Sequence, residues 1–169
     1  MERHPDTLVS LGGGRILLES GTIEVMEKII TSLEDLEEEA NEFVNSLAPS
    51  PGTATLVTLS GELGAGKTAF AKAVAHALKV DGVVTSPTFV LEKIYKLENS
   101  PFKRLIHIDA YRLESGEGLA SLGFDECMGD SGNLILLEWP EKVAEALPKP
   151  AMRIALIPRK DGSRTMLYG

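Results

Sequence analysis

Cysteine is almost absent from this chain of 169 residues: Cys127 stands alone, which excludes an internal disulfide and fits a reducing compartment best. With no histidine near it in sequence, Cys127 reads as a half-buried small hydrophobe rather than a nucleophile. Long apolar runs are missing too. None approaches the roughly 20 residues that a membrane-spanning helix requires, so no membrane role is expected. The chain does not open on a charged, then apolar, then small-residue signal, and a cytoplasmic protein is the expectation. Positive charge is scarce: 17 Lys and Arg stand against 25 Asp and Glu, a net charge of −8 at pH 7. Binders of the phosphate backbone draw on a basic stripe, and single-stranded loops are read on aromatic platforms. With aromatics at 5% and no basic segment interleaved with them, this chain is not expected to be a generic nucleic-acid binder.

What is present is globular composition, 43% apolar and 25% charged, in a length that suits one domain with a real core. The chain is organised around Gly61-Glu-Leu-Gly-Ala-Gly-Lys-Thr68. An apolar, alternating stretch, Ala54 to Ser60, precedes it, and the helical pattern Ala69 to Leu78 follows at once. Strand, glycine-rich turn and helix is the setting a phosphate-binding P-loop requires. The glycines let the backbone curl so that the N–H groups from Leu63, Gly64, Ala65 and Gly66 into Lys67 and Thr68 face one concavity. The helix opening at Thr68 adds roughly half a positive charge at its N-terminus. Lys67 can reach β- and γ-phosphates as a point charge, and the Thr68 hydroxyl can take a position around Mg²⁺. Nucleotide binding is the working reading.

Alternating strands and helices around that motif predict a three-layer α/β fold: a mixed sheet with central parallel strands and added antiparallel strands at one side. Residues 1–22 carry no interpretable motif and are set apart as an N-terminal extension, leaving 23–169 as one domain. Gly12-Gly-Gly14 reads as a flexible turn, and Ile23 to Ile30 as an edge strand. Thr31 or Ser32 caps a helix, with Glu34 or Asp35 closing a capping box. Leu33, Leu36, Ala40, Phe43, Val44 and Leu47 fall on its apolar face, and the six carboxylates from Glu34 to Glu42 on its solvated side. Further on, Thr85 to Leu97 and Phe102 to Asp109 read as paired antiparallel strands. Leu119 to Met128 reads as a short helix or irregular turn. Leu134 to Leu137 reads as a strand buried on both faces, and Glu141 to Leu147 as a short helix. Arg153 to Ile157 and Thr165 to Tyr168 read as strands joined across Lys160-Asp-Gly162.

Hydrolysis of a nucleotide needs a carboxylate near Mg²⁺ and a group that orients water. Two apolar strands end in acids: Leu105-Ile-His-Ile-Asp109 and Leu134-Ile-Leu-Leu-Glu138. The carboxyl ends of central strands line the ligand crevice of open α/β sheets, so both acids can project toward Lys67 and Thr68. Asp109 looks like a Walker-B-type acid. Glu138 could hold Mg²⁺ through water or position the attacking water, and the spacing does not divide those roles. His107, inside its strand, reads as a satisfied structural histidine. Trp139, the single tryptophan, is either plain packing or a docking point for nucleotide or partner. Ser86-Pro-Thr-Phe89, stiffened by Pro87, could place Thr88 where a γ-phosphate is felt.

Taken together, GELGAGKT, SPTF, HIDAYRL and LLEWPEK resemble, in order and spacing, the TsaE (YjeE) family of bacterial P-loop ATPases in the tRNA threonylcarbamoyladenosine pathway, across about residues 31–168. The resemblance implies ATP and Mg²⁺ as cofactors, with Lys67 and Thr68 on phosphates and metal. It implies Asp109 and Glu138 at metal and water, a functionally sensitive Trp139, and an Arg164 turn approaching the nucleotide. It also implies that the chain assists a TsaB–TsaD pair, meeting tRNA only through that complex and hydrolysing slowly without it. Where many members carry Thr in the first helix, this chain has Glu37, and residues 1–22 have no counterpart. Two other readings use the same loop: a small-molecule kinase, or a non-catalytic nucleotide-gated module. Arg112, Arg153, Arg159 and Arg164 are scattered rather than gathered into a kinase lid, and no Asn-Lys-x-Asp segment reads guanine.

Overall fold

The computed structural model describes residues 26–169 apart from Val83, Ser86 and residues 88–90, and the backbone alone of residues 9–10, 15–18 and 21–24. Three short strands come first, β1 (Val9–Ser10), β2 (Arg15–Leu18) and β3 (Gly21–Glu24), paired antiparallel in that order. The Gly12 to Gly14 turn lies outside the described residues. The main sheet has seven strands: β4 (Met26–Ile30), β5 (Thr55–Ser60), β6 (Glu92–Lys96), β7 (Arg104–Asp109), β8 (Asn133–Glu138), β9 (Met152–Pro158) and β10 (Arg164–Tyr168). Their order is β4-β10-β9-β5-β8-β7-β6. The four central strands β9, β5, β8 and β7 run parallel, while β6 closes one side and β10 then β4 the other, each paired antiparallel to its inner neighbour. This is the mixed sheet the sequence predicts, with antiparallel strands on both sides rather than one.

Period-two alternation on the central strands builds a core on each face. Val57, Leu59, Leu105, Leu134 and Leu136 pack with α1 (Leu33–Ser46) and α2 (Lys67–Ala77). Leu56, Ile106, Ile108, Ile135 and Leu137 pack with α3 (Gly116–Ala120), α4 (Phe124–Met128) and the short 3-10 turns at Ala110–Arg112, Pro140–Lys142 and Ala144–Ala146. Helix, sheet and helix make three layers. Phe43 of α1 meets Phe70 of α2 with ring centroids 5.5 Å apart, fixing the two helices against each other above the glycine-rich loop. Among the described residues no helix is long and apolar enough to cross a membrane.

Several local expectations change. Ile23 to Ile30 is not one strand, since β3 ends at Glu24 and β4 begins at Met26 in a different sheet. Ser32 caps α1 and Asp35 completes the box, so Leu33 falls in the first turn, beyond the reach of the sheet, and is 74% exposed. Of the strand expected from Thr85 through Leu97, β6 is the part from Glu92 to Lys96, Leu91 just before it takes a left-handed φ of 65°, and Ser86 and residues 88–90 lie outside the described residues. The helix expected over Glu141 to Leu147 is two 3-10 turns, separated by Val143 at φ −137°, ψ 23°. Cys127 is half-buried, and burial pushes its thiol up, away from the reactive thiolate.

One carboxylate of α1 is not on the solvated side. Glu39 is buried and accepts a hydrogen bond from the Tyr168 hydroxyl at 2.6 Å, with Lys28 Nζ 3.3 Å from its other oxygen. The contact ties α1 to β10 and, through Lys28, to β4. Burial first, and donation to Glu39 second, raise the Tyr168 phenol above its ordinary 10.0. The unfolded chain therefore loses this proton before the folded one does. The stabilisation is fully present below pH about 10 and declines as pH rises beyond it. Tyr168→Phe, which leaves Glu39 Oε1 without its donor while Lys28 stays beside Oε2, is expected to cost about 1–3 kcal/mol at neutral pH. It should also remove part of the alkaline decline, as read from urea midpoints at neutral and alkaline pH. Equal midpoints for the two proteins at neutral pH would show that the bond contributes nothing.

Candidate nucleotide site

Parallel pairing brings the carboxyl ends of β5, β8 and β7 to one edge of the sheet. Leu59 lies opposite Glu138, and Glu138 opposite Asp109. The glycine-rich loop leaves β5 at this edge and feeds α2. Gly61 cannot be replaced, because a Cβ there would sit 2.4 Å from the Leu156 carbonyl oxygen of β9. Gly66 caps α2 at φ 106°, a conformation that costs side-chain-bearing residues dearly. At the loop tip Leu63 is 77% exposed, while Ala65 is buried.

Lys67 is folded back onto its own loop. Its ammonium donates to the carbonyls of Gly61 at 2.7 Å and Glu62 at 2.9 Å. Trp139 covers it, with Nζ 3.7 Å from the ring centroid. Burial lowers the Lys67 pKa, against the opposing pull of Glu138, Glu141, Asp109 and Glu62. The desolvation of this cation thus outweighs four nearby acids. It sits in a place where added negative charge is favoured.

Glu138 ends β8 with 1% exposure and has both carboxylate oxygens engaged. The Thr68 hydroxyl donates to Oε2 at 2.8 Å, and His107 Nε2 lies 2.7 Å from Oε1. An ionised carboxylate only accepts, so His107 carries its proton on Nε2. A hydroxyl that gives its proton to Glu138 keeps its oxygen lone pairs available, the state in which it can ligate a cation. Asp109, also buried, accepts from the Tyr111 backbone N–H at 3.0 Å and so caps the turn that follows β7. Among the described residues no three His, Cys, Asp or Glu side chains form a metal cage. The donors that do gather, a threonine hydroxyl and two carboxylates, are hard oxygens. They fit Mg²⁺, which is commonly held by one or two carboxylates together with the phosphates of its ligand.

Trp139 takes φ 61°, rare for a bulky residue, and its backbone N–H donates to Leu59 of β5 at 3.1 Å. This left-handed turn directs the indole over Lys67, where it also meets Tyr111 at 4.9 Å between ring centroids. The ring packs against the core on the other face of the sheet as well as over Lys67. Arg164, at the start of β10, donates from Nε to the Ala65 carbonyl at 2.9 Å and so lies against the loop. Thr88 lies outside the described residues. Tyr111, Glu62 and Glu141 gather here without having been singled out by pattern, while His107, read as a satisfied structural histidine, is bonded to Glu138. His107 alone carried a readable signal: it stands two residues before Asp109, and period two puts both on the face that carries Lys67.

A glycine-rich loop between a central parallel strand and a helix, closed by Lys-Thr and flanked by buried carboxylates, defines a P-loop nucleotide-binding protein. The model of the family described as "Threonylcarbamoyl adenosine biosynthesis protein TsaE" matches residues 30–166, and the chain belongs to this family. Similar proteins named "tRNA threonylcarbamoyladenosine biosynthesis protein TsaE" include one from Rickettsia felis, 39% identical over 71% of this chain and 68% of its own. Another, from Treponema pallidum, is 39% identical over 65% of this chain and 78% of its own. A solved structure, "Crystal structure of Bacillus subtilus YdiB", is similar with a TM-score of 0.67 at 27% identity, covering 85% of this chain and 84% of that one.

Proposed function

We propose that the chain is a Mg²⁺-dependent ATPase of the tRNA threonylcarbamoyladenosine pathway, acting on a TsaB- and TsaD-like protein pair and meeting tRNA only through it. The observation that carries the reading is the Thr68 hydroxyl bonded to Glu138 at the edge where Lys67 and Asp109 also stand. In this reading residues 23–169 are the ATPase unit, residues 1–22 an extension of it, and the setting is the cytoplasm. The loop amides from Leu63 to Thr68 bind the phosphate chain, and Lys67 leaves its carbonyls for the β- and γ-phosphates. Arg164 supports the loop from beneath Gly66, and Trp139, with Thr88, flanks the nucleotide. Thr68, Asp109 and Glu138 would hold Mg²⁺, which when bound neutralises charge on the phosphate oxygens. Glu138 orients the attacking water. A net charge of −8 favours a protein surface over tRNA as the direct target.

Phosphate release from ATP and from GTP, with and without a purified TsaB–TsaD pair, tests this. Release from ATP that rises with the pair is expected. Release that needs a small acceptor would make the chain a kinase, and nucleotide binding without release would make it a gated module. Filter binding of labelled tRNA at low salt completes the test: tight binding by the isolated chain, unresponsive to the pair, would sink the reading.

The single tryptophan offers a direct view of Lys67. The ring–ammonium contact is worth about 1–2 kcal/mol and each carbonyl bond about 1 kcal/mol net. Several charge-assisted bonds to phosphate exceed that sum. Adding Mg·ADP is therefore expected to change Trp139 emission as the ammonium leaves the ring. Unchanged emission at saturating nucleotide would mean that Lys67 stays on its loop.

A further inference from the structure

We propose that His107 is a positioning residue: it fixes the plane of the Glu138 carboxylate, and the kinetic part of this inference rests on the ATPase reading above. The two groups are 1% exposed each and 2.7 Å apart. His107 is placed by register, opposite Leu136 on β8 and so diagonal to Glu138, with its ring on the face that carries Lys67 and Thr68. The last torsion of a glutamate is broad, so the carboxylate does not set its own plane. Thr68 cannot set it either, because a hydroxyl rotates to suit its partner and stands at the end of a helix. The imidazole is flat, buried and anchored in the middle of a central strand. By holding Oε1 it leaves Oε2 as the oxygen turned toward Thr68 and the loop. With Oε1 left without its donor, Thr68 alone would hold the carboxylate, and it would turn toward Lys67, the cation on which Glu138 exerts the largest pull of the four nearby acids. His107 thus keeps Glu138 from being captured by the lysine that must serve the phosphates.

A histidine that merely satisfied a buried acid would matter to folding and not to the partition between binding and turnover. The experiment uses the full chain as wild type, His107→Leu and His107→Gln, the last retaining an N–H donor near the position of Nε2. Calorimetry with Mg·ADP and single-turnover hydrolysis of ATP are run on each. His107→Leu is expected to hydrolyse about 30-fold more slowly, with ADP affinity within about threefold of wild type, and His107→Gln to recover most of that loss. In parallel, the wild-type protein with ¹⁵N-labelled histidine is expected to show a His107 ring N–H protected from exchange, persisting when Mg·ADP is added. Normal hydrolysis by His107→Leu would overturn the proposal. So would a loss shared equally by affinity and hydrolysis in both variants, or a ring N–H that exchanges freely once Mg·ADP binds. If the wild type releases no phosphate under any condition, the ATPase reading fails, and the protected ring proton alone then decides whether His107 holds Glu138.

Discussion

Lys67→Ala is expected to hydrolyse ATP about a thousandfold more slowly than the wild type, near the upper end of what losing one charged clamp on a reacting phosphoryl costs. The protein should remain folded. Without nucleotide the Lys67 ammonium is buried under Trp139, and burial lowers its pKa more than Glu138, Glu141, Asp109 and Glu62 raise it. Its desolvation thus offsets part of what the ring contact and the two carbonyl bonds contribute to the nucleotide-free fold. Lys67→Met, which keeps most of the methylene stem beneath the indole, should therefore stay folded with a urea midpoint close to that of the wild type while losing hydrolysis to a similar extent. Both variants should bind ADP more weakly by calorimetry, since the cation that meets the β-phosphate is gone. Hydrolysis by Lys67→Ala at the wild-type rate with Mg²⁺ present would show that the loop does not do what its sequence implies.

The loop was legible because its geometry admits few residues. A left-handed φ at Gly66 and a carbonyl 2.4 Å from a Cβ at Gly61 restrict those positions to glycine, and restriction of that kind survives in the sequence as a motif. β8 was legible for a related reason, since a strand covered on both faces has no polar position except its ends. The capping box at Ser32 and Asp35 is a local rule obeyed locally. What escaped sequence reading depends on contacts between distant segments. Glu39 turns inward because Tyr168, 129 residues later, meets it. Arg164 supports the loop from 99 residues beyond Ala65, a contact to which family resemblance points and composition does not. Leu33 has the right spacing for the apolar face of α1 but stands in its first turn, and periodicity alone does not say where a helix meets its sheet. The partner of Glu138 was hidden for a further reason. Pattern brings both strand ends to one edge, but only the register of β7 against β8 sets His107 diagonal to Glu138, where its ring N–H reaches Oε1.

Glu138→Gln is expected to slow single-turnover hydrolysis by about 10²–10³-fold while leaving ADP affinity within about threefold of wild type. The carboxylate accepts from two donors, His107 Nε2–H and the Thr68 hydroxyl. An amide of the same shape offers one oxygen and one NH₂, so it can accept from only one of them. If its oxygen stays with His107, its NH₂ faces Thr68, and the hydroxyl must turn its proton elsewhere, toward the space where a cation would meet its lone pairs. If its oxygen faces Thr68, two donors oppose each other in a buried place, which costs about 1–3 kcal/mol. Either way the arrangement best suited to charge developing in the transition state is lost, whereas the loop amides and Lys67 that bind the ground-state phosphates are not touched. Asp109→Asn makes the comparison, because its side-chain oxygen can still accept from the Tyr111 N–H and keep the turn after β7. It should slow hydrolysis by removing charge and should raise the Mg²⁺ concentration needed for half-maximal rate, a shift that Glu138→Gln shows less strongly. Calorimetry beside single-turnover kinetics and a Mg²⁺ titration distinguishes the two acids. Parallel losses of affinity and rate in both variants would mean that the carboxylates serve ground-state binding or the fold, and the division of labour at this edge of the sheet would have to be abandoned.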